Sequence, residues 1–448
     1  MKTIFISSFH GLISRVLASG LIDQLIENNI RIVLFVPSQK IDYFKENFKH
    51  NNIIIEPVNF IPSRIDRFLT SMAFVLTPSR AMEIKWRCDI KNSTGLLLNR
   101  LIKPLPFVRN FLGIVIRFMS QFSTLRKQFS FYFKKYEPEL VFSTDIQNPF
   151  DVTLLHAGRR YGSKSIGMIR SWDNPTCKGI MRFFPDQLLV ANNILLKEVI
   201  HFNRYPKNKI RIVGVPHYDI YVKEPRISRE EFLKQHGLNN QKKIIFFAPA
   251  GDRYIDTDWQ MIQLFDQWIK DSVFEYPVQL FVRLPPGDTV QLRDYEPSAN
   301  IVIYQSGVAS SDQEMKHREM SITDVRSLAD QLYHADVVIS GPSTILVDAA
   351  ALNRPTILYA INGYELHRPL CRSLERYLEY EHLQNIIATG GIRVSKDSKT
   401  LVQYINLYLK NTTIDRSYQK RIVEEQCANM IGFSIQKTIQ AIMQLLRI

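Results

Sequence analysis

The chain has 448 residues, 45% of them hydrophobic and 22% charged, with 18 Gly and 21 Pro. These proportions exclude collagen-like, low-complexity and largely disordered classes, and the length exceeds what one core ordinarily fills, so two domains are expected. Fifty-seven Lys and Arg against 43 Asp and Glu leave a net charge of +14, a surplus that points to an anionic partner.

In chain order, residues 3–7 read as an apolar strand, 8–11 as a short loop carrying His10, 12–27 as an amphipathic helix and 30–36 as a second strand ended by Pro37. Strands that are apolar throughout and alternate with amphipathic helices imply a parallel sheet covered on both faces. The rhythm then breaks. Between Ile90 and Tyr136 stand nine Lys or Arg and no Asp or Glu. From Phe111, the apolar positions Val115, Phe118, Phe122, Leu125, Phe129 and Phe133 follow at steps of three or four, while Arg117, Arg126, Lys127 and Lys134 fall largely off that stripe. One basic amphipathic helix lying on an anionic membrane, through about residues 100–135, is the expectation. Nucleic acid is not expected, because no helix-turn-helix, zinc or RNA-binding pattern accompanies the charge.

Strands at 140–143, 165–169, 187–190 and 210–213 resume the first series. The polar stretch 223–241 reads as a linker. A second series follows, with strands at 243–248, 278–284, 301–304, 337–340 and 356–359 and helices near 259–270, 324–333 and 344–352. Residues 417–446 read as one long amphipathic helix. The expected architecture is α/β, two Rossmann-like domains with parallel sheets facing an interdomain cleft: an N-terminal domain 1–222 with the basic insert at about 90–136, a C-terminal domain 242–416, and a C-terminal helix 417–448.

No window of eighteen apolar residues lacks charge, and residues 3–6 enter a strand with no signal-type segment before them, so a cytoplasmic protein is expected. The four cysteines, Cys88, Cys177, Cys371 and Cys427, show neither C-x-x-C spacing nor a nearby His cluster. A zinc site or a secreted disulfide framework is therefore not expected.

Candidate chemistry gathers at the carboxyl ends of the strands, where ligands bind in such sheets. The run Asp336–Pro355 takes a buried strand into Gly341-Pro342-Ser343-Thr344 and then a helix. Hydroxyls and amides there can hold a phosphate, and Asp348, one turn on, can reach a ribose hydroxyl. Equally, Ser-Thr can be a plain helix cap and Asp348 a solvated residue. Arg283, ending another strand before Pro285-Pro286-Gly287, can contact a phosphate or simply sit at the surface. In the first half, Arg170-Ser171-Trp172-Asp173-Asn174-Pro175 can stack on and hydrogen-bond a sugar, or form an ordinary turn. His10 and Asp145 are rival bases for an acceptor hydroxyl. Asp256-Thr257-Asp258 reads as an acidic helix start rather than a metal site. The sequence has no P-loop, no G-x-G-x-x-G and no G-x-S-x-G, which removes the best support for an ATPase, a Rossmann dehydrogenase or an α/β-hydrolase.

Five segments, in order, resemble the GT-B glycosyltransferases, and more narrowly the bacterial surface-polysaccharide transferases related to the CDP-glycerol glycerophosphotransferases. They are residues 171–179 (SWDNPTCKG), 190–198 (VANNILLKE), 212–219 (IVGVPHYD), 283–286 (RLPP) and 336–355. The resemblance implies a nucleotide-activated sugar as co-substrate rather than a bound cofactor, held by the C-terminal half, and a glycan or glycolipid acceptor held by the N-terminal half. It implies that Arg283, Gly341, Ser343 and Thr344 hold the donor phosphates without a metal, with Asp348 where relatives carry Glu. Gly214, Pro216 and Asp219 match a structural turn. Relatives carry Arg-Pro-His-Pro where this chain has Arg283-Leu284-Pro285-Pro286, and loss of that His favours sugar transfer over glycerophosphate transfer. The expected function is glycosyl transfer to a cell-surface polysaccharide, lipopolysaccharide or lipid-linked acceptor at the inner membrane face. A CDP-glycerol-type glycerophosphotransferase, a non-transferring enzyme like UDP-N-acetylglucosamine 2-epimerase, and a membrane-bound scaffold remain as alternatives.

Overall fold

The computed structural model describes residues 1–9, 16–122, 126–222, 227–307, 319–365 and 367–447. Two compact units form. The first comprises Met1–Asp219 with Gln426–Ile448, the second Ile220–Glu425.

In the first unit seven strands make one parallel sheet: β1 Lys2–Ser7, β2 Ile30–Pro37, β3 Ile53–Val58, β4 Leu140–Ser143, β5 Lys164–Met168, β6 Gln187–Val190 and β7 Ile210–Ile212. Their order is β3-β2-β1-β4-β5-β6-β7, with Ile4 beside both Ile32 and Leu140. Alternation along the strands supplies both faces. Ile4, Ile6, Ile32 and Leu34 enter one apolar cluster, and Phe5, Val33 and Phe35 enter the other. The topological switch lies between β1 and β4.

The second unit carries six parallel strands: β8 Lys243–Ala248, β9 Val278–Leu284, β10 Ile301–Gln305, β11 Val337–Ser340, β12 Thr356–Tyr359 and β13 Arg393–Ser395. The order β10-β9-β8-β11-β12-β13 puts its switch between β8 and β11. Phe246 and Val338 meet Phe281, Leu328 and Leu332 on one face. On the other, Phe247 packs its ring 5.3 Å from Phe265 of the helix Asp258–Lys270.

Three sequence expectations change. Part of the stretch taken as a linker is the helix Arg229–His236, capped by Ser228 and burying Phe232 and Leu233 in the second unit's core. Two apolar residues in a charged stretch suffice to seat it. The tail is two helices, Arg416–Cys427 and Ser434–Arg447, separated by Ala428, Asn429 and Gly432 at positive φ. The second of these helices returns to the first unit, where Ile435, Ile439, Ile442 and Leu446 cover the sheet face of Ile4 and Ile6. Asp219 anchors it. One of its carboxylate oxygens accepts the N–H groups of Gly432 and Ser434 at 2.8 and 3.2 Å, and the other that of Ile435 at 2.9 Å. Gly214 (φ +73°) passes so close that a Cβ there would lie 2.4 Å from Ser434 Oγ.

The basic insert is likewise more than one helix. Ser93–Ile102, Pro106–Ser120 and Arg126–Tyr136 are separate, and Pro106 opens the second at the position where a missing N–H does no harm. The phenylalanine stripe divides. Phe129 and Phe133 are buried in the first unit's core, while Phe111, Phe118 and Phe122 are exposed. The inward face of Pro106–Ser120 is instead Arg109, Gly113, Ile116 and Ser120. Leu125 lies outside the described residues.

Candidate active site

At the first switch point the end of β1 meets the end of β4. Thr144 Oγ1 donates to the Ser7 carbonyl at 2.7 Å. Beneath them lies Asp151, on the first turn of the helix Pro149–Arg160, which Asn148 caps. One oxygen of Asp151 accepts the hydroxyls of Ser7 and Ser143, the latter at 2.7 Å, and the N–H of Asp145 at 3.4 Å. Complete burial, reinforced by the charge of Asp145, raises the Asp151 carboxyl to about 7 against the pull of those hydroxyls.

Asp145 itself is buried, with Arg170 Nε at 3.1 Å on one oxygen and Asn174 Nδ2 at 3.1 Å on the other. Asp145, expected as a base, is therefore engaged at both oxygens. Asp173 is half-buried one residue before Asn174, at the start of a short helix, where its carbonyl accepts the N–H of Cys177 at 2.8 Å. His10 lies outside the described residues.

At the second switch point the loops after β8 and β11 touch. A Cβ on Gly341 would stand 3.0 Å from the Cβ of Ala250, so any larger residue there would press the two loops apart by a few tenths of an ångström. Ser343 and Thr344 follow, half-buried. The Thr344 side chain makes no capping bond, and Ser343 Oγ accepts the Ile345 N–H at 3.4 Å.

The loop after β8 is held from below. Asp258, fully buried, accepts the Gly251 N–H at 2.7 Å and the Tyr359 hydroxyl at 2.6 Å, and that hydroxyl accepts the Ala250 N–H at 3.1 Å. Burial raises the Asp258 carboxyl to about 7 and pushes the Tyr359 phenol well up. The next amides are also engaged: Asp252 N–H meets the Thr289 carbonyl at 2.9 Å, and Arg253 N–H meets Asp288 at 3.0 Å. The four amides from Ala250 to Arg253 are thus all turned to protein acceptors.

Gly341, Ser343 and Thr344 share the turn after β11, Asp348 follows one helical turn on with its N–H donating to the Thr344 carbonyl at 3.0 Å, and Arg283 stands near the end of β9. Arg283 is buried, its Nη1 donating to Gln331 at 2.5 Å and its guanidinium 5.2 Å from the Tyr304 ring centre. Asp348 is completely buried and accepts the Tyr221 hydroxyl at 2.5 Å. The carboxylates of Asp256 and Asp258 have separate partners, Asp256 pairing with Arg368 at 2.7 Å. Sequence reasoning missed Asp151 and the Asp258–Tyr359 pair. The one available sign was a tyrosine closing a buried strand, since its hydroxyl needs a partner there.

No curated protein matches the chain. Among solved structures, the wall teichoic acid polymerase TagF, in a structure with CDPG, is similar with a TM-score of 0.52 and 12% identity over 100% of this chain and 88% of that one. A glycosyltransferase from Rickettsia africae gives 0.52 and 10% over 99% and 98%. UDP-GlcNAc 2-epimerase from Neisseria meningitidis bound to UDP-GlcNAc gives 0.55 and 10% over 99% and 100%. At such identities the likeness is one of fold, and the fold is GT-B, two Rossmann-like domains. Residues 182–442, more than half the chain, match the family described as CDP-glycerol:poly(glycerophosphate) glycerophosphotransferase, and the chain belongs to that family of transferases.

Proposed function

We propose that the protein transfers a sugar from a nucleotide-activated donor to a hydroxyl of a cell-surface polymer or lipid-linked glycan. The observation that carries the donor side is the close approach of Gly341 to Ala250, which sets Ser343 and Thr344 at the second sheet's switch point. Their hydroxyls meet the nucleotide's phosphates, and negative charge on the departing phosphate is stabilised there as the bond to the sugar breaks. Sugar rather than glycerophosphate is favoured by Leu284-Pro285-Pro286, which has no histidine after Arg283. The acceptor lies against the first unit's Trp172 and Asp173, and its hydroxyl proton passes to His10. Arg283 and Asp348 support the donor side from within the second unit's core.

The same reading puts the protein at an anionic membrane surface. Leu97, Leu101, Phe107, Phe111, Ile114 and Phe118 are all exposed, Phe107 at 88%, in a segment without a single acid. Exposed apolar side chains beside the partly exposed cations Arg100 and Lys103 fit the headgroup region of an anionic bilayer. Among the described residues no helix is long and apolar enough to cross a membrane.

The test is a thermal-shift panel with CDP, UDP, GDP, ADP and dTDP on the wild type and on a Ser343→Ala/Thr344→Val variant. A nucleotide that raises the wild-type melting temperature, and does so less in the variant, supports the donor site. A flat panel refutes it.

A further inference from the structure

Arg170 follows β5 at the carboxyl edge of the first sheet. Its Nε donates to Asp145 at 3.1 Å, and its side chain is 17% exposed. Nη1 and Nη2 bond to no protein group among the described residues, and neither is sealed from solvent, unlike the buried Nη2 of Arg182.

The groups behind it leave the guanidinium little freedom. Asp145 takes Asn174 Nδ2 on its other oxygen, and its own N–H is held by Asp151, which also gathers Ser7 and Ser143. β1, β4, the helix Pro149–Arg160 and the segment after β5 therefore converge on one side chain. An arginine fixed at Nε, with both Nη groups unengaged among the described residues, is a preformed fork for two oxygens of one oxyanion. Its rotamer freedom is already spent, so binding sacrifices less.

We propose that Arg170 is a binding residue for a phosphoryl group carried by the acceptor, with Asp145 as its positioning residue. The choice of phosphoryl rests on the transferase reading, because it supplies that oxyanion on the acceptor side. The residues of this site all belong to the first unit, whereas Ser343 and Thr344 belong to the second.

The experiment titrates the full chain calorimetrically with inorganic phosphate, sn-glycerol 3-phosphate, acetate and glycerol, in the presence and absence of the nucleotide that binds best. Expected is phosphate and glycerol-phosphate binding that persists with nucleotide present, falls about ten-fold or more in Arg170→Gln, and is partly kept in Arg170→Lys. Asp145→Asn should weaken it less than Arg170→Gln while leaving nucleotide binding unchanged. Stronger binding of glycerol phosphate than of free phosphate marks an organic phosphate as the ligand, and equal binding marks the free ion. Unchanged affinity in Arg170→Gln, displacement of phosphate by nucleotide, or acetate binding as well as phosphate overturns the proposal. Arg170→Lys guards against a folding artefact, since it keeps charge and bulk. If no nucleotide binds but Arg170-dependent phosphate binding persists, the donor reading fails and this site stands.

Discussion

The hydroxyl of Tyr359, at the end of β12, donates to Asp258 at 2.6 Å across 101 residues of chain. Because that hydroxyl also accepts the Ala250 N–H, one tyrosine fixes both a buried acid and the loop that faces Gly341. Tyr359→Phe leaves the Ala250 N–H and one Asp258 oxygen without that partner inside the unit. A loss of about 1–3 kcal/mol in denaturant unfolding is expected, together with weaker nucleotide binding in the thermal-shift panel. Unchanged stability would mean the loop finds other partners.

Asp258 also predicts a pH effect. Its carboxyl rises from the ordinary value of about 4 to about 7. The folded protein thus keeps a proton that the unfolded chain releases, and this contribution to stability falls as pH rises between those values, then levels off. Asp151 acts with the same sign. Asp258→Asn keeps one acceptor oxygen where the carboxyl group has two for the Gly251 N–H and the Tyr359 hydroxyl, so its melting temperature should be lower at pH 4. It should also decline less than that of the wild type between pH 4 and 7. A series of melting curves across that range checks both.

Asp219→Ala removes the acceptor for three N–H groups at the start of the last helix. A loss on the order of 2 kcal/mol is expected, with faster amide exchange across 434–447 than elsewhere in the first unit. Gly214→Ala should act in the same place, because its Cβ meets Ser434 in a backbone conformation that L side chains rarely adopt.

Two phenylalanines from one sequence stripe should behave oppositely. Phe129→Ala opens a cavity among Phe35 and Phe150 and should destabilise by about 3–5 kcal/mol. Phe111→Glu, at a position 65% exposed, should leave the melting temperature nearly unchanged and lower sedimentation with anionic liposomes. Equal liposome binding by that variant and by Phe107→Glu would refute the membrane surface.

The phenylalanine stripe also shows how far local pattern reaches. Spacing of three or four places Phe111 and Phe129 alike on a helix face, but which face is covered depends on what β1 and β2 bring to it. The turn at Ala428–Asn429 carried a weak local sign, since Asn429 and Gly432 are residue types that adopt the left-handed conformation, but the helical spacing on either side runs through it.

For the site, the Gly341-Pro342-Ser343-Thr344 turn was legible because strand, glycine and hydroxyls are adjacent in sequence. Asp151 was not. It sits at an ordinary first-turn position of a helix, and only the neighbouring ends of β1 and β4 make it a buried acid holding two serines.

By itself the sequence determined the two parallel sheets, since strands apolar on every residue can be satisfied only when both faces are covered. It also determined the carboxyl-end location of the hydroxyl turn. Tertiary structure alone decided which acids are buried together, which cations are turned inward and where the last helix docks. These depend on partners up to 444 residues away in sequence, and periodicity carries no information about what stands opposite a face.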